Sequence, residues 1–222
     1  MASEIVRRSP FKRFFYTLVQ TGARIIGVHL FSLRGIDRDL MEVDGGALVL
    51  CTHQSTLDPV LVGLSYNGRL NYLARRTLFN NPVFSWIIST LDAIEVDRDR
   101  SGLSGLKETL KRLKRGEKVL IFPEGTRTED GKLQPLKRGF ISVARRSQVP
   151  LIPIAVSGAY NALCRTATLP TFFPLKLAIG TVIPAEDVAK LDDDQLIQLV
   201  ESRLKKCFDR TEVVKSYSCA SV

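Results

Sequence analysis

Cysteine, histidine and long apolar runs are scarce in this sequence, and each scarcity removes a class of protein. The four cysteines, Cys51, Cys164, Cys207 and Cys219, are scattered and form no Cys-x-x-Cys pair. That spacing suggests neither a disulfide framework nor a thiolate metal site, and it fits a reducing compartment. Only two histidines occur, His29 and His53, with no cluster of cysteines or carboxylates around them, so no metal is expected. Apolar stretches are broken by Gln20, Arg24 or glycine well before the roughly 20 residues that a bilayer span needs. The chain also opens on no signal-peptide pattern, so it is expected on a membrane or in solution, not across a bilayer. A Gly-x-Ser-x-Gly nucleophile turn is missing, which argues against a serine esterase. From Gly125 to Lys132 a phosphate loop is suggested only superficially, because the glycines stand one residue too far apart and Leu133 replaces the required Ser or Thr.

What is present describes one compact catalytic domain. The chain has 222 residues, 45% hydrophobic and 25% charged, enough for a single sizeable core. Its formal charge of +9 points to an anionic partner: nucleic acid, anionic lipid or a phosphorylated substrate. Nucleic acid fits poorly, since the aromatic residues gather in apolar runs instead of being spread through basic stretches such as Lys111 to Lys118.

Ser9 and Pro10 mark a helix start, after which Phe11, Phe14, Phe15, Leu18, Val19, Ile25, Ile26, Leu30 and Leu33 follow at three- and four-residue spacing. Lys12, Arg13, Gln20 and Arg24 lie off this stripe, with Arg7 and Arg8 just before it. Such a basic amphipathic helix either packs its stripe on the core or lies in a headgroup layer. His29 falls on the stripe and is read as a packing residue.

Beyond Arg34 short apolar runs alternate with helical patterns, which predicts a single α/β domain with a mixed, mostly parallel sheet flanked by helices. Strands are expected at Ala47 to Cys51, Leu70 to Ala74, Ala93 to Val96, Lys118 to Phe122, Leu151 to Val156 and, interrupted by Gly180, Leu175 to Ile183. Helices are expected at Pro59 to Tyr66, Asn81 to Leu91, Leu103 to Leu113 with Gly116 as its stop, and Phe140 to Arg146. A last helix starts at Asp192, Asp193 and Asp194 and ends near Lys205 and Lys206, matching the helix dipole at both ends. The expected organisation is residues 1–38 as an N-terminal basic amphipathic helix, 39–212 as the folded domain and 213–222 as a flexible tail.

Two polar turns follow strands. In Cys-Thr-His-Gln-Ser-Thr-Leu-Asp-Pro, His53 and Asp58 are five apart, and on a regular helix they would point about 140° away from each other. They meet only across a turn, which the polar run Thr52 to Thr56 permits. Asp58 on one ring nitrogen of His53 would leave the other free to take a proton. The second turn, Pro123-Glu124-Gly125-Thr126-Arg127, ends another strand, and in α/β sheets ligand sites collect at the carboxyl ends of strands. Arg127 offers a planar fork for a phosphate, Thr126 a hydroxyl and Gly125 close backbone approach, with Lys137 and Arg138 further on.

Four segments in this order resemble the glycerolipid acyltransferase family, the 1-acylglycerol-3-phosphate acyltransferases and their relatives. His53 and Asp58 match the His-x4-Asp block, and Asp97 with Arg98 match the end of the second block, which departs from the family at Asp92 and Glu95. Phe122 to Arg127 is the third block, Phe-Pro-Glu-Gly-Thr-Arg, in full, and Val149 to Ile154 resembles the proline-containing fourth. The resemblance covers about half the chain, from Thr52 to Val156. It implies His53 as general base with Asp58 as its partner, and binding of the acceptor's glycerophosphate by Arg98, Glu124, Gly125, Thr126, Arg127 and Lys137.

The reaction so implied moves a fatty acyl group from acyl-CoA or acyl carrier protein to the free hydroxyl of a lysophospholipid, 1-acylglycerol-3-phosphate first, with no cofactor. The alternatives are another lysolipid acceptor, or an inactive membrane-binding adaptor on the same scaffold. The resemblance also turns the amphipathic helix into an expected contact with an anionic membrane surface, on its cytoplasmic face. The segment Leu169 to Pro174 is expected to line an acyl groove, to dip into the interface, or to pack in the core.

Overall fold

In a computed structural model, residues 10–75, 93–96, 103–167 and 169–212 are described. The helix expected over 81–91, the site candidate Arg98 with Asp92 and Asp97, and the expected tail over 213–222 lie outside these residues.

In chain order the elements are α1 (Pro10–Phe31), β1 (Arg34–Ile36), a 3₁₀ turn (Arg38–Met41), β2 (Ala47–Cys51), α2 (Asp58–Ser65), β3 (Leu70–Arg75) and β4 (Ala93–Val96). They continue with α3 (Leu103–Lys114), β5 (Lys118–Ile121), α4 (Gly139–Ser147), β6 (Leu151–Ser157), α5 (Ala159–Ala162), β7 (Lys176–Ile179), α6 (Ala185–Lys190) and α7 (Asp193–Thr211). The strands form one seven-stranded sheet in the order β1-β7-β6-β2-β5-β3-β4. Its neighbours are parallel except for β6 and β7, so the sheet is mixed and mostly parallel, as the alternating pattern predicted.

β2 lies at the centre between β6 and β5, and all five of its residues are buried. Successive strand side chains point to opposite faces. Leu48 and Leu50 accordingly join Val119, Ile121 and Leu151 in a core closed by Leu113 of α3, Phe140 of α4 and Leu196, Val200 and Leu204 of α7. On the other face, Ala47, Val49 and Cys51 join Leu120, Ile152 and Ile154 against Leu61 and Val62 of α2. α7 opens on a capping box, with Asp192 Oδ1 accepting from the Gln195 N–H at 2.8 Å and Gln195 Oε1 from the Asp192 N–H at 3.0 Å. It runs past the expected end near Lys206, because Cys207 and Thr211 continue the buried stripe of Leu196, Val200 and Leu204.

α1 turns its polar side inward. Its inward side carries Tyr16, Gln20, Arg24 and Gly27, while Leu18, Ile25, Ile26 and Leu30 of the apolar stripe are each more than half exposed. The physical reason lies in α2, whose last carbonyls have no partner within their own helix. Gln20 Nε2 donates to Gly63 O at 2.8 Å and Tyr66 O at 2.9 Å, and Arg24 donates to Leu64 O at 2.8 Å and Tyr66 O at 2.7 Å. His29, expected to pack, is exposed on the outward side. Among the described residues no helix is long and apolar enough to cross a membrane.

Cys51 and Cys207 are free and buried. The segments β1, α5 and α6 and the 3₁₀ turn carry too few residues for a period to stand out, and none of them was expected.

Candidate active site

β2 and β5 are parallel neighbours, with Leu50 opposite Ile121, so the turns that follow them emerge side by side at the same end of the sheet. The first turn, residues 52–57, carries the chain from β2 into α2, and Asp58 is the first residue of that helix. Asp58 Oδ2 accepts the Gln54 N–H at 2.6 Å and the Ser55 N–H at 2.7 Å, and it lies 2.9 Å from His53 Nδ1. The two residues therefore meet across a turn, as their spacing required.

Asp58 is fully buried, and its Oδ1 has no hydrogen-bond partner among the described residues. Burial pushes its carboxyl above the usual carboxylate range, opposed by the bonds from His53 and the two backbone N–H groups. Because a carboxylate faces Nδ1, the ring proton belongs there, and Nε2 is left as an acceptor. Nε2 makes no hydrogen bond within the described residues, and the His53 side chain is 18% exposed. The imidazole stacks on Phe122, with ring centres 3.8 Å apart and planes 14° from parallel. Phe122 is the first residue of the third sequence block, but nothing in the pattern marked it as the floor under the histidine.

The second turn grips His53 by its backbone. Glu124 Oε1 accepts the His53 N–H at 2.7 Å, and the Thr128 N–H donates to the His53 carbonyl at 2.8 Å. Glu124 Oε2 accepts the Gln134 N–H at 3.0 Å, and Glu124 is 2% exposed. Sequence reasoning put Glu124 against the ligand. Both of its oxygens are instead engaged by backbone donors, so it braces the two turns against each other. Gln134 was missed altogether; its side chain donates to Thr128 Oγ1 at 3.2 Å and Asp130 Oδ1 at 3.0 Å and so closes the 124–134 loop on itself.

Gly125 has φ of +72°, and a Cβ there would stand 2.9 Å from Lys137 Cδ, so the turn needs a residue without a side chain where the Lys137 stem crosses it. Thr126 and Lys137 are exposed and Arg127 is half-buried. The Lys137 N–H donates to Pro123 O at 2.8 Å, but neither the Arg127 nor the Lys137 side chain has a hydrogen bond or ion pair among the described residues, which leaves two cations at the rim of the His53 turn.

Burial also pushes the Glu124 carboxyl from 4.5 up to about 7, opposed by the His53 and Gln134 N–H groups. A raised value in the folded state means that its contribution is full below the unfolded value and is lost as pH rises through about 7. The melting temperature of the wild type relative to Glu124→Gln is therefore expected to fall between about pH 5 and about pH 8. A difference that stays flat across that range would contradict the buried, proton-holding carboxyl.

An apolar cleft runs along α2 between it, α1 and β3, lined among others by Val19, Ala23, Pro59, Val60, Leu64 and Tyr72. It starts beside the first turn of the helix that carries Asp58.

Residues 33–157 match the family model described as Acyltransferase. The chain is 32% identical over 182 residues to the 1-acyl-sn-glycerol-3-phosphate acyltransferase of Bacillus subtilis (strain 168), covering 80% of this chain and 88% of that protein. It is 30% identical over 154 residues to the 1-acyl-sn-glycerol-3-phosphate acyltransferase LPAT1, chloroplastic, of Arabidopsis thaliana, covering 67% of this chain but 43% of that protein. Among solved structures, the 1-acyl-sn-glycerophosphate (LPA) acyltransferase PlsC of Thermotoga maritima matches with a TM-score of 0.75 and 22% identity, covering 95% of this chain and 86% of that one, which supports the fold. With the His-x4-Asp and Phe-Pro-Glu-Gly-Thr-Arg turns interlocked at one end of such a sheet, and a family model spanning both, this chain belongs to the acyltransferase family.

Proposed function

We propose that the protein acylates the free hydroxyl of a lysophospholipid, 1-acylglycerol-3-phosphate above all, using an acyl thioester of coenzyme A or acyl carrier protein and giving phosphatidic acid. The observation that carries this reading is His53: its Nδ1 is tied to a buried carboxylate, and among the described residues its Nε2 is unengaged and two cationic side chains without a protein partner stand on the adjoining loop. A hydroxyl is a poor nucleophile near neutrality. Nε2 takes its proton as the oxygen attacks the thioester carbonyl, and Asp58 stabilises the imidazolium that forms. When the tetrahedral adduct collapses, the carbon–sulfur bond breaks and the imidazolium returns the proton to the leaving thiolate. No cofactor enters this cycle. The apolar cleft along α2 is suited to an alkyl chain, since its lining is almost wholly apolar.

The acceptor keeps one acyl chain in a bilayer, and drawing it into water costs about 0.8 kcal/mol per methylene. Chemistry at the membrane surface avoids most of that cost. The exposed apolar face of α1 supports residues 1–38 as a peripheral contact with an anionic, cytoplasmic membrane face, where each basic residue adds about 1 kcal/mol. Residues 39–212 are the catalytic domain on this reading, and no nucleic acid is involved. Thr126, Arg127, Lys137 and, outside the described residues, Arg98 are the groups proposed to hold the phosphate.

The deciding experiment is an acceptor panel at fixed acyl donor, scored by free thiol and diacyl product. Lysophosphatidic acid is expected to be the best acceptor, and a clear preference for a neutral or zwitterionic headgroup would reject the phosphate reading. Arg127→Ala is expected to raise KM for lysophosphatidic acid by about tenfold with little change in kcat or melting temperature, because the guanidinium supports no other group. An unchanged KM would remove Arg127 from the site.

A further inference from the structure

We infer that residues 169–172, tipped by Leu169 and Phe172, form a second lipid contact beside the active site, seated in the headgroup and upper acyl layer of an anionic bilayer. This inference rests on the membrane reading of α1 and names a separate surface for it. Leu169 and Phe172 are 77% and 73% exposed, the highest values among the large exposed apolar residues of the described chain. Single exposed apolar residues need no explanation, but two at one tip do when the tip joins a larger apolar surface. Phe172 supplies that join, packing its ring 5.6 Å from that of Phe31, the last residue of α1. The tip thus lies against the end of α1, where Phe31 is partly buried against the core and the neighbouring Leu30 is more than half exposed.

The tip is braced at its base. Gly158 has φ of +82°, and a Cβ there would lie 2.1 Å from Pro174 O, so the two ends of the segment close tightly on each other. Halfway along, the Thr171 N–H donates to Ala162 O at 2.7 Å and its hydroxyl to Asn161 O at 2.8 Å. A loop with these ties gains nothing in water from presenting leucine and phenylalanine outward. A bilayer rewards it, and the bilayer is where a lysophospholipid acceptor resides.

The position favours lipid over a second protein chain. β6 runs parallel to β2, so the segment after β6 leaves the sheet at the end that carries His53. Two bonds tie it to the catalytic turn: Ser55 Oγ donates to Leu163 O at 2.7 Å, and the Tyr160 N–H to Gln54 Oε1 at 3.3 Å. The neighbouring Gln54 and Ser55 N–H groups are the ones that hold Asp58. A surface seated at the tip therefore lies on the same rim as His53. A monotopic enzyme that takes its acceptor from the bilayer needs its base on that rim.

The test uses the full chain and vesicles of phosphatidylcholine with about one-third phosphatidylglycerol. Vesicle partition is measured for the wild type, for Leu169→Ser/Phe172→Ser, for the apolar control Leu169→Met/Phe172→Leu, and for the helix variant Leu18→Ser/Ile25→Ser/Ile26→Ser. Melting temperatures check folding. The serine tip variant is expected to lose about tenfold in partition, while the apolar control keeps wild-type binding. Turnover of a short-chain acceptor dissolved as monomer should stay at the wild-type value in the tip variant, and turnover of bilayer-embedded acceptor should fall. Wild-type partition by the serine tip variant overturns the second contact; if the helix variant alone has lost binding, the membrane reading of α1 survives. Wild-type partition by both variants removes both readings. An equal loss on dissolved and embedded acceptor, or a change of oligomeric state without a change in partition, also overturns the inference, assigning the tip to the active site or to self-association.

Discussion

Replacing His53 with alanine is expected to lower kcat by about a thousandfold with the fold intact, because general-base catalysis of this kind is worth about 10²- to 10⁴-fold. Among the described residues the side chain makes one hydrogen bond, to the buried Asp58, and one ring contact, to Phe122. Its loss leaves Asp58 Oδ2 with two backbone donors and leaves the Glu124 and Thr128 bonds in place, since those use the backbone of residue 53. Melting temperature and acceptor binding should therefore change little while product formation slows about a thousandfold. Thioester turnover with labelled donor, beside circular dichroism of the same sample, checks both halves. Turnover near the wild-type rate would discard the mechanism.

The second large effect belongs to Asp58, and its two substitutions separate chemistry from architecture. Asp58→Asn keeps a carbonyl for the Gln54 and Ser55 N–H groups but removes the charge that stabilises the imidazolium. A loss of about 10²- to 10⁴-fold in kcat is expected with a modest change in stability. Asp58→Ala withdraws the acceptor from three donors at a site with no solvent, and it should also cost about 2–4 kcal/mol of stability. Combining His53→Ala with Asp58→Asn should add almost nothing to the His53 loss, because the pair acts as one unit. Additive losses would mean that Asp58 works independently of the imidazole.

Much of this architecture was legible in the sequence, for identifiable reasons. The run Ala47 to Cys51 has no polar residue and sits between polar turns, and such a run suits a strand buried on both faces. The His-x4-Asp spacing forced a turn, and a turn is what joins β2 to α2. Glu124 was harder. A carboxylate in a loop beside Arg127 reads as a ligand contact, and only the 71-residue separation closed by the sheet reveals His53 N–H as its partner. Phe122 carried no signal, since stacking depends on where a neighbouring strand ends. In α1 the period of the apolar stripe was correct, but periodicity does not say which side faces the protein, and the unmet carbonyls of α2 decided that.

That inverted helix separates two properties that usually trade against each other. Gln20 and Arg24 serve as the clasp by which the N-terminal segment fastens to the domain, so alterations there weaken the whole molecule. Leu18, Ile25 and Ile26 are instead each more than half exposed. On the proposed membrane reading, the oily side is thus free to drift or be redesigned, tuning how long the protein would dwell on a lipid leaflet without loosening the scaffold that aligns its imidazole.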